Sequence, residues 1–340
     1  MHQTTVYAGL DYHHKFIQVC LLDDQGKVLR NVRAENDWAE VAATLPEGVR
    51  RVQAAIEACA GAASLADELV ERAGWSVDLA HPGYVARMKQ GPDKTDFSDA
   101  RVLADLERVG YVPRVWHAPE QIRELRRLVH HRFALVDQRR ALKLRISAAL
   151  RDQRILNAPA LPWTKRWLQW LREEAPLSEQ SRWIIGRQLR QLSLVFEEIS
   201  LVEERLELVT GNDVLVARLR QEKGVGLVTA CVLRALIGRF DRFRSGRQLS
   251  KFCGLSPRNV SSGSRQSTAG LIHSCDRQLR STLIETAHRL KRFVPRWQTL
   301  AASMLERGKP RCVIVAAVAN RWVRQLWHDM KPLRLNGEAA

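Results

Sequence analysis

Cysteines are few in this sequence, and none is placed as a ligand of a zinc knuckle. The six cysteines lie far apart, and no two form a CxxC pair, so a zinc site of that type is excluded. Residues 1–9 lack the basic start and long apolar core of a signal peptide. No apolar run is long enough to span a bilayer. We therefore expect a reduced, cytoplasmic protein with no membrane partner.

Acidic residues are scarce relative to basic ones. The 340 residues include 54 Lys and Arg against 37 Asp and Glu, which gives a net charge of +17 at pH 7. Residues 1–110 hold 12 basic and 17 acidic side chains, a net charge of −5, so residues 111–340 carry +22. Clustered Lys and Arg attract phosphate polymers, but charge alone does not separate DNA, RNA and an anionic membrane surface. The asymmetry suggests an N-terminal part that holds cations and a remainder that holds nucleic acid.

The first third of the chain alternates between short β-rich segments and helical segments. A turn at residues 23–26, between Leu22 and Val28, predicts a hairpin. Strands followed by alternating helix and strand indicate an α/β sheet domain. The predicted strands are residues 5–10, 17–22, 52–56 and 77–80, and the predicted helices are residues 64–73 and 98–109.

Two long helical segments occupy the middle of the chain. Apolar residues recur every three or four positions in residues 118–150 and again in residues 185–209, which favours a coiled coil or a helical hairpin. Residues 157–186 are rich in Pro and Trp and are predicted to form a joint. Residues 223–335 are predicted to be mainly helical. We therefore expect an α/β plus α protein with three domains, at residues 1–115, 116–215 and 216–335.

Four carboxylates in the first third are candidate metal ligands. Asp11 and Glu57 each end a predicted strand, and Asp96 and Asp99 begin a helix with a spacing that places both on one face. Hard oxygen ligands of this kind suit a pair of magnesium ions that clamp a scissile phosphate. The alternative is that such acids are solubilising or capping groups.

The runs around these acids resemble a known domain. They are Tyr7–Lys15, Ile56–Gly61 and Lys94–Ala100, and they are similar to the RuvC-like DEDD domain of the insertion-sequence one-ten transposases, the bridge-RNA-guided recombinases. The resemblance implies an RNase H-like fold and Mg²⁺ or Mn²⁺. It also implies that the metal ligands are Asp11, Glu57, Asp96 and Asp99, with Asp93 and Asp105 as alternatives for the third and fourth.

A second group of motifs lies in the last third. Gly224-Val-Gly226 opens a predicted helix and either holds a phosphate or forms a plain turn. It lacks the third glycine of a dinucleotide fingerprint, so a Rossmann site is rejected. Ser262 precedes a glycine in a loop with Arg258 and Arg265. This pattern fits an exposed serine nucleophile beside arginines that neutralise the phosphate it attacks. The alternative is a flexible Ser/Gly loop.

The order of these elements resembles the C-terminal transposase domain of the same family. Gly-Val-Gly is followed by Phe-x-x-Phe, Gly-Leu-Ser-Pro and Ser-Gly. The resemblance implies that Ser262 attacks DNA to form a phosphoserine, with Ser261 as the adjacent alternative. At His273–Asp276 the sequence departs from the motif of that family, which weakens the transfer of the family's residue roles to this stretch. Arg277 and Arg280 remain candidates for phosphate contacts.

Basic side chains outnumber acidic ones on the first long helix. They predict a face that grips RNA or DNA, against the alternative of an ordinary solvated helix. Four tryptophans in residues 163–183 are interpreted as packing residues rather than base-stacking ones. The candidate nucleic-acid contacts on this helix are Arg123, Arg126, Arg127, Arg139, Arg140 and Lys143.

These patterns together predict a transposase that cleaves and rejoins the strands of a mobile element. Its expected partners are donor and target DNA, a structured noncoding RNA implied by the resemblance, and further copies of the chain as a dimer or tetramer. The alternatives are a metal-dependent Holliday-junction-type nuclease, which would not need Ser262, and a non-catalytic nucleic-acid-binding adaptor.

Overall fold

The computed structural model of the protein describes residues 5–88, 95–259 and 268–333. The chain divides into two compact units, Met1–Ala118 and Pro119–Ala340. The three domain boundaries expected from the sequence remain a prediction.

The N-terminal unit contains a five-stranded mixed sheet with strand order β3-β2-β1-β4-β5. Strands β1, β2 and β3 are antiparallel neighbours, and β4 and β5 continue the sheet parallel to β1. The predicted α/β class is confirmed, and so is the hairpin predicted at residues 23–26, which β2 and β3 form. The strands are β1 (Thr5–Tyr12), β2 (Phe16–Leu22), β3 (Val28–Glu35), β4 (Arg51–Glu57) and β5 (Ser76–Ala80), and the helices are α1 (Trp38–Ala43), α2 (Ala62–Ala73), α3 (Pro82–Met88) and α4 (Asp96–Arg108).

Helices cover both faces of this sheet. On one face, alternate β1 residues such as Leu10 pack against α1 and α2 in the main core of the unit. On the other face, Ala100 and Ala104 of α4 pack against Cys20 and its neighbours on β2. Because strand side chains alternate between faces, β1 contributes to both layers.

In its described residues, the C-terminal unit consists of helices and one pair of short antiparallel strands. Its elements are α5 (Glu120–Asp152), α6 (Lys165–Glu173), α7 (Glu179–Thr210), α8 (Val214–Arg220), α9 (Leu227–Ile237), α10 (Gly246–Phe252), β6 (Pro257–Asn259), β7 (Thr268–Leu271), α11 (Arg277–Phe293), α12 (Pro295–Glu306) and α13 (Arg311–Met330).

The two long helices form a hairpin within one chain. The first half of α5 shares a core cluster with the second half of α7, and the second half of α5 shares another with the first half of α7 and with α6. The helices are therefore antiparallel. Of the two arrangements that the heptad-like spacing allowed, the structure forms the helical hairpin. Within the described ranges, none of the helices is both long and apolar enough to cross a membrane.

Candidate metal centre and nucleic-acid surface

The sheet register brings Asp11 and Glu57 to neighbouring positions. Leu10 of β1 lies opposite Ile56 of the parallel strand β4, so the next residue on each strand is Asp11 and Glu57, respectively. Carboxyl ends of adjacent parallel strands meet at one edge of a sheet. The sequence prediction that these two acids converge is therefore supported by the strand pairing.

Helix α4 begins at the same edge. The Ser98 amide donates to Thr95 Oγ1 and the Thr95 amide donates to Ser98 Oγ, a reciprocal cap that fixes the first turn of the helix. This turn contains Asp96 and Asp99. The fold thus places the predicted Asp-x-x-Asp motif beside the end of β1.

Three donor groups converge there: Asp11, His13 and Asp96. One ligand atom from each lies within 4.8 Å of the other two, and they are the one such set of His, Cys, Asp and Glu found among the described residues. His13 Nε2 is 3.1 Å from Asp11 Oδ2 and 3.4 Å from Asp96 Oδ1. Two carboxylates and an imidazole are a donor set that fits a divalent cation.

Sequence reasoning missed His13, although a signal was present. His13 follows Asp11 by two residues, and residues two apart on an extended chain point to the same side. Sequence reasoning also missed Arg33 on β3, whose guanidinium lies 3.1 Å from Asp96 Oδ2. Arg33 lies on β3, whose start at Val28 was implied by the predicted hairpin but whose extent was not predicted, because most of β3 is exposed and carries no apolar pattern.

Glu57 and Asp99 lie outside the three-donor cluster, but each is placed near it by its element. The carboxylates of Glu57 and Asp11 both help to raise the pKa of the Cys59 thiol, after the larger effect of burial. These two acids therefore share one electrostatic neighbourhood. Asp99 is buried on α4, one turn after Asp96.

Most residues predicted for serine chemistry lie outside the described part of the chain. Ser261, Ser262 and Arg265 lie outside the described residues, as does Asp93. The described part of the hairpin includes Arg258 on β6, which is exposed.

The Gly224–Gly226 turn precedes α9 and is stabilised by hydrogen bonds from another helix. Arg289 of α11 donates to the Gly224 carbonyl at 3.0 Å and to Thr229 Oγ1 at 3.3 Å. Gly224 has φ +90°, a conformation that favours glycine.

The basic side chains of α5 that were predicted to contact nucleic acid make contacts with other residues of the C-terminal unit. Arg126 is partly buried and donates to the Ala235 carbonyl at the end of α9. Arg123 and Arg127 form ion pairs with Glu120, and Arg140 forms one with Asp137.

Two further basic side chains of α5 contact an aromatic ring. Arg139 and Lys143 both lie over the Phe196 ring. Burial, followed by the Arg139 charge, lowers the pKa of Lys143.

The two predicted arginines on α11 differ. Arg280 donates to the Ile272 carbonyl at 3.0 Å. Arg277 is exposed at the start of α11. Among the tryptophans, Trp167 and Trp170 are buried, as predicted, whereas Trp183 is 62% exposed.

Comparison with known proteins places both units in one family. Residues 8–154 match the IS110 DEDD domain profile, described as "Transposase", and residues 216–302 match the profile "Transposase IS116/IS110/IS902 family". The chain is 27% identical to "Transposase for insertion sequence element IS1111A" of Coxiella burnetii over 94% of this chain and 88% of that protein. It is 30% identical to "Probable family 20 transposase" of Pseudomonas aeruginosa over 80% and 82%, respectively. The chain belongs to the IS110 family of transposases, as the sequence motifs had indicated.

Proposed function

We propose that this transposase cleaves and rejoins DNA strands with a divalent-metal site in its N-terminal unit and a serine nucleophile in its C-terminal unit. The observation that carries the proposal is the convergence of Asp11, His13 and Asp96 at the carboxyl end of β1. This site lies within the stretch that matches the DEDD transposase profile.

The N-terminal unit is proposed to have an RNase H-like fold. Its support is the sheet itself, in which an antiparallel meander of three strands continues into two parallel strands. Helices on both faces and acids at the end of the central strand agree with that architecture.

The proposed ligands of Mg²⁺ or Mn²⁺ are Asp11 and Asp96, with Glu57 and Asp99 completing the acidic set. A divalent cation bound here would supply charge stabilisation at the phosphate and at the leaving oxygen. The protein's own contribution is to hold carboxylates of two strands and one helix at one edge of the sheet.

The proposed covalent step belongs to Ser262. Its Oγ would attack the scissile phosphorus and lose its proton, while the departing strand leaves with a hydroxyl group. The phosphoserine ester keeps the energy of the phosphodiester, so the reverse attack by another strand can rejoin DNA. Hydrolysis by water, the route of a simple nuclease, does not keep it.

A structured noncoding RNA is proposed to select donor and target DNA, and the chain is proposed to act as a homo-oligomer. Support for the nucleic-acid partners is the charge of +22 on residues 111–340, since phosphate backbones are bound chiefly by such clustered charge. Among the described residues, Arg127, Arg140, Arg258 and Arg277 are the exposed candidate contacts.

A denaturing-gel assay for a protein–DNA adduct tests this function. Ser262→Ala should give no adduct and no recombinant, whereas the neighbouring change Ser261→Ala should leave both. Asp11→Asn should slow cleavage by about a hundredfold or more, because a lost ligand removes several kcal/mol of stabilisation. Asp24→Asn, at an exposed turn, is its control.

Three results of this assay would contradict the proposal. A full adduct yield from Ser262→Ala would move the nucleophile elsewhere. Cleavage that releases free strands and never forms an adduct would indicate the nuclease. Binding without cleavage under any metal condition would indicate the adaptor.

A further inference from the structure

His13 adds a nitrogen donor to a site whose predicted ligands are all carboxylates. Its Nε2 lies between Asp11 Oδ2 and Asp96 Oδ1, at 3.1 Å and 3.4 Å. Neighbouring ligands of an octahedral ion with bonds near 2.1 Å are separated by about 3 Å. The distances from Nε2 to the two carboxylate oxygens are therefore close to the spacing of adjacent ligands of one small divalent cation, and all three atoms lie within 4.8 Å of one another.

The imidazole is held in this position by its surroundings. The Phe16 ring stacks on the His13 ring at 4.6 Å with an interplanar angle of 25°. The His13 amide donates to the Phe16 carbonyl at 3.0 Å, which closes the turn between β1 and β2. The Asn36 side chain donates to the His13 carbonyl at 3.1 Å. A ligand fixed in advance loses little conformational entropy when it binds an ion.

Arg33 directs the second carboxylate of the cluster. Its guanidinium lies 4.4 Å from the centre of the Phe16 ring and 3.1 Å from Asp96 Oδ2. With Oδ2 held by Arg33, the other oxygen, Oδ1, is the one that faces His13. Phe16 thus supports both neighbours of Asp96, the imidazole and the guanidinium.

We infer that His13 Nε2 ligates the divalent cation together with Asp11 and Asp96, and that it makes this site favour first-row transition ions such as Mn²⁺ over Mg²⁺. Mg²⁺ strongly prefers oxygen ligands, whereas imidazole nitrogen binds transition ions well. A carboxylate-only site discriminates less between the two ions. The inference rests on the proposed function, because it assigns a role within the proposed metal site.

Electron paramagnetic resonance of Mn²⁺ bound to the full-length protein, without DNA, tests the inference independently of catalysis. The wild-type protein should show hyperfine coupling from a directly bound nitrogen. That coupling should disappear in His13→Ala and His13→Asn and persist in His14→Ala, the matched control at the neighbouring exposed histidine. We expect His13→Ala to weaken Mn²⁺ binding by about tenfold or more, with Mg²⁺ binding little changed. Less Mg²⁺ should then displace half of the Mn²⁺ from the variant than from the wild type.

The outcomes separate this inference from the proposed function. Mn²⁺ that is bound without nitrogen coupling, or coupling that survives in both His13 variants, overturns the role of His13 and leaves the acidic metal site standing. Equal loss of Mn²⁺ and Mg²⁺ affinity in His13→Ala overturns the claim of selectivity. Absence of any bound Mn²⁺ in the wild type, with Asp11→Asn as the reference for a lost site, overturns the inference and the metal site together.

Discussion

Glu107 is a buried carboxyl group in the N-terminal unit, away from the three-donor cluster. It lies on α4 with Asp78 of β5 and Arg114 as its charged neighbours. Burial, followed by the Asp78 carboxylate, raises the pKa of Glu107 to about 7, although Arg114 acts in the opposite direction. One of its oxygens, Oε2, is buried without a hydrogen-bond partner among the described residues. The folded unit therefore binds a proton here more tightly than the unfolded chain does.

This raised pKa makes the unit less stable at alkaline pH. The contribution is fully present below the ordinary pKa of 4.5 and is lost as pH rises to about 7. Glu107→Gln should remove that dependence and stabilise the unit above pH 7 by on the order of 2–3 kcal/mol. Urea unfolding at pH 5 and pH 8 measures the effect. Asp105→Asn, at an exposed site paired with Arg108, is the control, and an unchanged pH dependence in Glu107→Gln would contradict the assignment.

Arg126 and Arg277 are both predicted nucleic-acid contacts, but they have different surroundings. Burial and then the neighbouring Arg123 charge lower the pKa of Arg126, which donates to the last turn of α9 through Ala235. A cation at a helix C-terminus stabilises the helix dipole. Arg277 is exposed at the start of α11. Arg126 is therefore suited to stabilising the fold, and Arg277 is suited to binding a phosphate.

Salt-dependent DNA binding distinguishes these two roles. Arg277→Ala should reduce the slope of log K against log salt by about one, as expected for one lost phosphate contact. Arg126→Ala should leave the slope unchanged and lower the stability of the C-terminal unit instead. The reverse pattern would show that Arg126 reaches the nucleic acid. Fluorescence anisotropy over a range of salt concentrations, together with thermal unfolding, provides both measurements.

The contact between β1 and α4 depends on Gly9. A side chain at Gly9 would overlap the carbonyl oxygen of Ala100 and the amide nitrogen of Ala104, both in the backbone of α4. Helix and strand can approach this closely because glycine has no Cβ. Because of this close approach, Asp96 in the first turn of α4 lies near Asp11 at the end of β1.

Gly9→Ala should therefore affect stability and the metal site together. Because α4 must move away from the sheet, we expect a loss of about 2 kcal/mol or more, typical of overpacking against backbone. Mn²⁺ binding should weaken as Asp96 shifts from Asp11. Gly83→Ala on α3 meets only ordinary contacts and should change neither property. A Gly9→Ala protein with wild-type stability would contradict the close packing of α4 on β1.

Helix α7 carries a second apolar stripe besides the one that packs on α5. Leu194, Leu201 and Leu208 are each more than half exposed and are spaced by seven residues. A seven-residue repeat keeps these side chains on one face, as in a helix that pairs with another. The stripe predicted for a coiled coil packs in the hairpin within the chain, so we propose this second stripe as the contact with a second copy in the proposed homo-oligomer.

Replacing Leu194, Leu201 and Leu208 together with Gln should reduce the oligomer to a smaller species. Exposed side chains contribute little to the fold of one chain, so helix content should stay near the wild-type value. Sedimentation equilibrium measures the mass. The control is Arg190→Gln, Glu197→Gln and Glu204→Gln, exposed positions with the same spacing on α7. An unchanged mass for the leucine variant would place the oligomer interface elsewhere.

The sequence predicted elements best where periodicity was strong. The two long helices and the central strands had clear patterns because each buries a regular stripe or face. The predicted hairpin implied a strand after residue 26, but the extent of β3 was not predicted because most of it is exposed, and the role of Arg33 was not predicted either. The carboxylates were predicted from motif order. The hydrogen bond from Arg126 to the Ala235 carbonyl was not predicted, because the two residues are far apart in the sequence.

At the scale of the whole molecule, the proposed chemistry needs groups from both ends of the chain. Asp11 lies near the start, and Ser262 lies in the last third. Rejoining strands without an outside energy source requires the serine ester, and serine is a weak nucleophile at neutral pH. It therefore needs the charge stabilisation proposed for the acidic site. The proposed function therefore predicts a composite site, assembled either within one chain or between two copies.

Mixing two inactive variants decides between these arrangements. Ser262→Ala lacks the nucleophile but keeps the acids, and Asp11→Ala has the opposite defect. If each site combines acids of one copy with the serine of another, a mixed dimer contains one intact site and one doubly defective site. With random pairing, half of the dimers are mixed, so about a quarter of the wild-type sites should be restored. Each variant alone should be inactive, and the double variant mixed with Ser262→Ala should stay inactive because no intact site can form. The adduct yield on denaturing gels measures the recovery, and no recovery in demonstrably mixed oligomers would show that each site is built within one chain.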